Sequence, residues 1–258
     1  MKLVVQNLSA GYNKRQILHD INFSMETGEI VCLLGPNGSG KTTLFKTILG
    51  LIPSTGEMYV NDSSLIKMKC QQRAQIFAYI PQIHVPPFPF TVIDVVAAGR
   101  TPFLKTFRSP EDEDLKKSFE ALELLNITHL ADRIYTQLSG GERQLVLISR
   151  ALAQSPSFLI MDEPTSYLDY GNQIRTIQII RKLSRRNMGI ILTTHYPDHA
   201  FMCSSRVLAF RDGKIICDGK PEEVLNPSIL HRMYGVDINI IHLSENRCMC
   251  SPAKGVFA

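Results

Sequence analysis

The residues Gly35-Pro36-Asn37-Gly38-Ser39-Gly40-Lys41-Thr42 fit the pattern G-x-x-x-x-G-K-[ST] and narrow the fold more than any other stretch of the chain. Ile30–Leu34, just before them, is continuously apolar, as a buried parallel strand is. From Lys41 to about Leu49 the spacing predicts a helix, ended by Gly50 and Pro53. Strand, glycine-rich loop and helix together are the context in which this pattern cradles phosphate. The glycines let successive N–H groups turn inward around phosphate oxygens. The helix N-terminus adds partial positive charge. Lys41 is expected to reach the β- and γ-phosphates of a nucleoside triphosphate, and Thr42 to ligate Mg²⁺. Thr43 can donate to an α-phosphate. With glycine near 7% of residues, a chance match arises in roughly one chain in a hundred of this length.

A second strand pattern supplies acids for the same site. Phe158-Leu159-Ile160-Met161 is apolar and runs into Asp162-Glu163. A hard Mg²⁺ ion needs carboxylate oxygens beside the phosphates. Asp162 is expected to hold that ion, through water, and Glu163 to polarise the attacking water as general base. Leu138-Ser139-Gly140-Gly141-Glu142 is a further place fit to grip an anion. Ser139 is expected to cap a helix running to about Gln154, and a serine with two glycines offers a hydroxyl and bare N–H groups there. One nucleotide needs one cradle. The economical explanation for two is a pair of chains facing each other, each lending Leu138–Glu142 to the partner's nucleotide.

Around these motifs the chain alternates between strand and helix patterns. Residues 2–8 and 17–25 alternate apolar and polar, and Gly56–Val60 resembles them, which predicts a small N-terminal antiparallel sheet. Ile76–Ile80 reads as a short strand ending at Pro81-Gln82. His84–Phe90 is too proline-rich for regular helix or central strand. Leu115, Phe119, Leu122 and Leu125 have helical spacing, and Leu145, Ile148 and Leu152 share a face of the helix after Ser139. Residues 86–155 therefore read as a mainly helical insertion. Ile190–Thr194 returns to a buried strand, with a helix marked by Ile174, Ile177, Ile180 and Leu183 before it. Val207–Phe210 and Lys214–Cys217 flank Arg211-Asp212-Gly213, a hairpin signal. The fold class expected is α/β: a P-loop NTPase core with a parallel sheet, an N-terminal antiparallel β subdomain and an inserted mainly helical subdomain.

Composition limits what such a chain does. At 258 residues it has enough length for a substantial core, and a net charge of +4 is too small to argue for a nucleic-acid partner; none is expected. Arg181, Lys182, Arg185 and Arg186 read as a solvated helix face. The six cysteines have no disulfide-framework spacing and read as reduced thiols. Cys248-Met249-Cys250 could be a soft-metal or redox pair, but a flexible terminus with reduced thiols is the plainer expectation. The N-terminus turns polar at Gln6-Asn7, too early for a signal peptide. No run of about 18 apolar residues exists, so membrane work would fall to a partner.

The phosphate loop, the Asp162-Glu163 strand end and Leu138–Glu142, in this order, resemble the ATP-binding cassette (ABC) family, the motor subunits of ABC transporters. The resemblance covers nearly the whole chain and implies a single domain over 1–258, with 1–85 and 156–258 forming the core and β subdomain and 86–155 the helical signature subdomain. It implies that Tyr12 stacks on adenine and that Gln82 contacts Mg²⁺ or the water and senses a membrane subunit. It makes Ser166-Tyr167-Leu168-Asp169 a loop crossing a dimer interface and His195 the switch that touches the γ-phosphate. It also brings Ser139, Gly140, Gly141 and Glu142 to the partner's γ-phosphate, with ATP and Mg²⁺ as cofactors. Three positions depart from the usual pattern: Leu145 where arginine is usual, Tyr167 where a small residue or histidine is usual, and Tyr196-Pro197 where aspartate is frequent.

Thr91–Arg100, and Glu223–Pro227 leading to Met233-Tyr234-Gly235-Val236, are similar to one branch of that family. It comprises ATPases of bacterial importers for metal chelates (siderophores, haem, cobalamin) and some oxyanions such as molybdate. That branch implies a homodimer docked on two permease subunits at the cytoplasmic face of the inner membrane, served indirectly by a periplasmic binding protein. The alternative is a soluble ABC ATPase acting on nucleic acid, ribosomes or cofactor-assembly complexes. Such proteins often carry two cassettes or long coiled coils, and this chain has neither. A P-loop kinase or GTPase is disfavoured because no Asn-Lys-x-Asp motif is present and Leu138–Glu142 would be unexplained.

Overall fold

The computed structural model describes residues 1–13, 15–82, 88–104, 109–244 and 247–253. Its strands are β1 (Lys2–Tyr12), β2 (Arg15–Glu26), β3 (Ile30–Leu34), β4 (Ser54–Val60), β5 (Ser63–Ser64), β6 (Phe77–Ile80), β7 (Phe158–Met161), β8 (Gly189–Thr194), β9 (Arg206–Arg211), β10 (Lys214–Gly219), β11 (Ile238–Ser244) and β12 (Arg247–Pro252). The α-helices are α1 (Lys41–Ile48), α2 (Cys70–Ile76), α3 (Val92–Ala97), α4 (Asp112–Leu124), α5 (Gly140–Ala153), α6 (Tyr170–Ser184), α7 (Pro197–Cys203), α8 (Pro221–Val224) and α9 (Pro227–Tyr234).

β3 is apolar at every position because both of its faces are covered. It lies inside a six-stranded sheet of order β10-β9-β3-β8-β7-β6, parallel except for the β9–β10 hairpin. Alternate side chains feed two cores, as the strand period requires. Ile30, Cys32 and Leu34 join one core with Leu159, Met161, Ile190 and Leu192. Val31 and Leu33 join the other with Phe158, Ile160 and Ile191. The first core is closed by α3, α4 and α5 through Val92, Val96, Leu122, Val146 and Ile148. The second is closed by α1, through Leu44, Phe45 and Ile48, and by the antiparallel sheet β2-β1-β4-β5. Fully burying a side chain such as Phe45 or Leu33 stabilises by about 1.5–3 kcal/mol. Gly189 admits the Phe158 ring, since a Cβ there would lie 2.4 Å from a ring carbon.

The N-terminal strands run further than their alternation predicts. β1 continues to Tyr12 because bulges near Asn7 and Ala10 reset the in–out phase without ending the pairing. Ile76 is a helical residue and not the start of a strand. It ends α2, whose polar sequence carries no apolar stripe; what anchors the helix is buried Arg73, donating to the Ile48 carbonyl at 3.2 Å. α4 forms where the spacing predicts, but Leu115 and Phe119 face solvent while Ser118, Ala121 and Leu122 pack inward. Arg181, Lys182, Arg185 and Arg186 are exposed, as expected of a solvated face. Cys248-Met249-Cys250 is no loose terminus. It lies in β12, paired with β11 and tied to α7 by the Cys250 N–H donating to Asp198 at 2.7 Å. Most of the proline-rich stretch His84–Phe90, and the expected 85/86 boundary, lie outside the described residues. No helix among the described residues is long and apolar enough to cross a membrane.

Candidate nucleotide site

The parallel strands deliver their following loops to one edge of the sheet, where a doubly covered parallel sheet places its ligands. β3 delivers the glycine-rich loop. Gly35 donates to the Thr194 carbonyl at 3.3 Å and Gly213 to the Ser39 carbonyl at 3.0 Å, so the loop is pinned at both ends. A Cβ on Gly35 would lie 2.3 Å from the Phe210 carbonyl oxygen, and Gly40 has φ +106°, so neither position accepts another residue without a shift. Pro36, Asn37 and Gly38 form the outer part of the loop, with Asn37 and Gly38 exposed. The Lys41 ammonium donates to the Gly35 and Pro36 carbonyls at 2.7 and 2.9 Å. Burial lowers its pKa, against the opposing pull of Glu163 and Asp162. The Ser39 hydroxyl is buried without a partner among the described residues. A desolvated cation, an orphaned hydroxyl and a helix N-terminus with no acid in its first turn form a set that fits a phosphate group.

β7 delivers the acids. Asp162 accepts from Thr42 Oγ1 at 2.9 Å, from Thr193 Oγ1 at 2.7 Å and from the Tyr79 hydroxyl at 3.4 Å. Burial first, then Asp162 itself, raises the Tyr79 pKa. The hydroxyl of Thr42 and the carboxylate of Asp162 are hard oxygen donors already in contact, which suits a Mg²⁺ ion. Glu163, at φ +47°, turns its backbone N–H to Thr193 Oγ1 at 2.8 Å. Its Oε2 accepts from Gln82 Nε2 at 2.8 Å and from Ser166 Oγ at 2.7 Å, and its Oε1 lies 3.1 Å from His195 Nδ1. Gln82, Glu163 and His195 thus meet directly beside the Lys41 loop.

The remaining expected residues lie apart from this cluster. Tyr12 ends β1 with its ring exposed and the Lys46 ammonium 5.9 Å from its centroid. Thr43 is buried in α1. Ser139 caps α5: Glu142 N donates to Ser139 Oγ at 3.3 Å, while Ser139 N and Oγ donate to Glu142 Oε2, both at 2.8 Å. Those bonds, the backbone one foremost, hold the Glu142 carboxyl below its usual range. Gly141 packs on Asn172, whose side chain a Cβ would approach to 2.6 Å, and Gly140 faces Tyr167 O and Leu168. The segment Ser139–Glu142 therefore borders the loop 166–169 and the start of α6.

Sequence reasoning missed Tyr79 and Thr193, which fix Asp162, and singled out Ser166 without anticipating its bond to Glu163. Thr193 had a signal: it interrupts an apolar strand immediately before Thr194 and His195. Tyr167 is 80% exposed at φ +64°. Tyr196 lies with its ring centroid 4.0 Å from that of His195.

The sequence family described as ABC transporter matches residues 18–166. An uncharacterised ABC transporter ATP-binding protein of Haemophilus influenzae is 42% identical over 95% of this chain and 94% of its own length. The iron(3+)-hydroxamate import ATP-binding protein of Bacillus subtilis is 36% identical over 93% of this chain and 90% of its own. The hemin import ATP-binding protein of Nocardia farcinica is 35% identical over 93% of this chain and 83% of its own. Among solved structures, an inward-facing transporter assigned to the metal-chelate type superposes with a TM-score of 0.86 at 30% identity, covering 99% of this chain and 98% of that one.

Proposed function

The chain belongs to the ATP-binding cassette family of transporter ATPases, and from that premise we propose that it energises the import of a metal chelate or related solute through a separate permease. The solute class comprises siderophores, haem, cobalamin and oxyanions such as molybdate. The observation that carries the reading is the meeting of Gln82, Glu163 and His195 beside Lys41 and Asp162. The names of the Bacillus and Nocardia relatives, and the metal-chelate type of the superposed transporter, support the importer branch.

In this reading Gly35–Thr43 wraps the phosphates with backbone N–H groups, and Lys41 exchanges its two carbonyl partners for phosphate oxygens. Tyr12 offers a ring face to adenine. Thr42, Asp162 and Gln82 hold Mg²⁺, which when bound neutralises phosphate charge. Glu163 takes the proton of the attacking water. Gln82, Ser166 and His195 orient its carboxylate, which keeps acceptor capacity for the water. His195 then turns from Glu163 to the γ-phosphate. Ser139, Gly140, Gly141 and Glu142 close the nucleotide of a second copy, and 86–155 acts as the helical subdomain that meets the permease. The assembly is a homodimer on two permease subunits, peripheral on the cytoplasmic face of the inner membrane, with a periplasmic binding protein delivering cargo.

A deletion strain tests this. Uptake of one chelate or oxyanion class is expected to fail, and to return with the parental gene but not with Lys41→Ala. Parental growth under iron, haem, cobalamin and molybdate limitation alike overturns the importer reading. So does co-sedimentation of the chain with ribosomes in place of membranes.

A further inference from the structure

His199, in the first turn of α7, places Nδ1 3.2 Å from the Thr165 hydroxyl. Thr165 is buried and lies two residues beyond Glu163, in the turn whose Ser166 bonds the Glu163 carboxylate. On its other side the His199 ring meets the Tyr196 ring at a centroid distance of 5.2 Å. Tyr196 in turn covers His195, whose Nδ1 faces Glu163. The contacts close into a circuit: Glu163, His195, Tyr196, His199, Thr165, and back along the chain to Glu163. Tyr196 stands at a position where this chain departs from the common pattern.

We propose that His199 is a positioning residue for ATP hydrolysis, tying the turn after Glu163 to the switch histidine so that the acid and its partner hold one relative placement. This rests on the assignment of Glu163 as base and His195 as switch. His195 is a third exposed at its side chain, and its ring has Tyr196 against one side. A tyrosine that is itself half exposed can set that ring's orientation only if something limits its own movement. His199 is the ring against it, and His199 is fixed by a hydrogen bond to a buried hydroxyl. The link also spans two separate elements, the loop after β7 and the helix after β8, and the sheet joins these only further down. A misplacement of about 1 Å at such a site costs roughly 100-fold in rate. A linker at one remove is expected to cost about tenfold.

The test is steady-state ATPase kinetics of the full chain with thermal unfolding of each variant. His199→Leu is expected to lower kcat about tenfold with KM for ATP within about twofold of parental, because Lys41 and the loop are untouched. Thr165→Val is expected to do the same, and the double variant to lose no more than either single change, since both remove one link. His199→Asn, whose amide can meet the Thr165 hydroxyl near the Nδ1 position, is expected to restore most of kcat. Parental kcat in His199→Leu overturns the proposal. So do losses that multiply in the double variant, or a loss that follows the fall in Tm and ignores the Asn rescue. Where His199→Leu does not fold, Thr165→Val against Thr165→Ser decides the same question: recovery with the hydroxyl supports the link, and equal loss in both overturns it. Glu163→Gln in parallel separates the two readings. Near-parental hydrolysis there sinks the base assignment itself, whereas loss there with parental His199 and Thr165 variants sinks only the link.

Discussion

The Lys41 ammonium donates to two backbone carbonyls of its own loop. Burial works against its charge, and Glu163 and Asp162 work for it. Phosphate oxygens would supply the missing charge compensation, so Lys41→Ala is expected to weaken ATP binding roughly 100-fold, from the loss of charge-assisted hydrogen bonds. Calorimetry giving near-parental affinity would contradict the loop assignment. His199 is the titratable counterpart. Burial holds its pKa below the ordinary histidine value, with Asp198 opposing and His195 adding to the shift. An unfolded chain therefore takes up a proton at His199 under conditions where the folded chain does not. The stability it contributes is complete above pH of about 6.5 and is lost as pH falls below that, towards the folded value. His199→Asn is expected to show a smaller drop in Tm between neutral pH and pH of about 5.5 than the parental chain. Parallel curves would show that the folded and unfolded histidine titrate alike.

At the scale of elements, legibility followed contiguity. The glycine-rich loop and the acids closing β7 were readable because each motif is one unbroken stretch with its own strand or helix attached. β3 and β7 were readable to the residue because full burial on both faces writes an unbroken apolar run. Tyr79 and Thr193 were not, because their meeting with Asp162 depends on sheet register: Met161 opposite Leu192 and Ile80 opposite Met161. Nothing in a linear pattern states that register. α2 was missed because its anchor is one buried arginine and not a periodic stripe. The stripe on α4 was read from true spacing, yet Leu115 and Phe119 remain exposed. They join Phe88, Phe90 and Phe103 as exposed large apolar residues of the mainly helical region. Phe88 and Phe90 contact each other edge to face at 5.9 Å between centroids. In the proposed importer this exposed aromatic pair is the candidate permease-docking surface, and singly exposed residues would not need that explanation. Phe88→Ser with Phe90→Ser is expected to abolish transport and leave basal ATPase within about twofold, the range of an ordinary surface change. Equal loss of both activities would make the pair structural. Cysteine crosslinks from Thr91 that never reach a membrane protein would remove the docking assignment.

At the scale of the whole molecule, Lys41 with its loop and Ser139 with Gly140 and Gly141 are the two proposed anion-gripping places, and in one chain they border different neighbours. The first is packed against Asp162 and Glu163, and the second against Asn172, Tyr167 and Leu168. In the proposed homodimer a second copy would bring them to one nucleotide. Glu163→Gln keeps the side-chain size and removes the base, so hydrolysis is expected to fall by roughly 10²–10⁴-fold. Binding should survive, because Lys41, Thr42 and Asp162 are unchanged. With ATP no longer consumed, two chains should remain closed on two nucleotides, and light scattering should report twice the monomer mass only when ATP is present. Ser139→Arg in the same background puts bulk and positive charge where the partner's phosphate would lie. It also removes the Ser139–Glu142 cap of α5, a loss of about 1 kcal/mol, which thermal unfolding and monomer ATP binding must show to be tolerated. The double variant is then expected to bind ATP and stay monomeric. A dimer that still forms with ATP after Ser139→Arg would mean that the two cradles do not share a nucleotide. The capping role that Ser139 visibly has within its own chain would then be its only one.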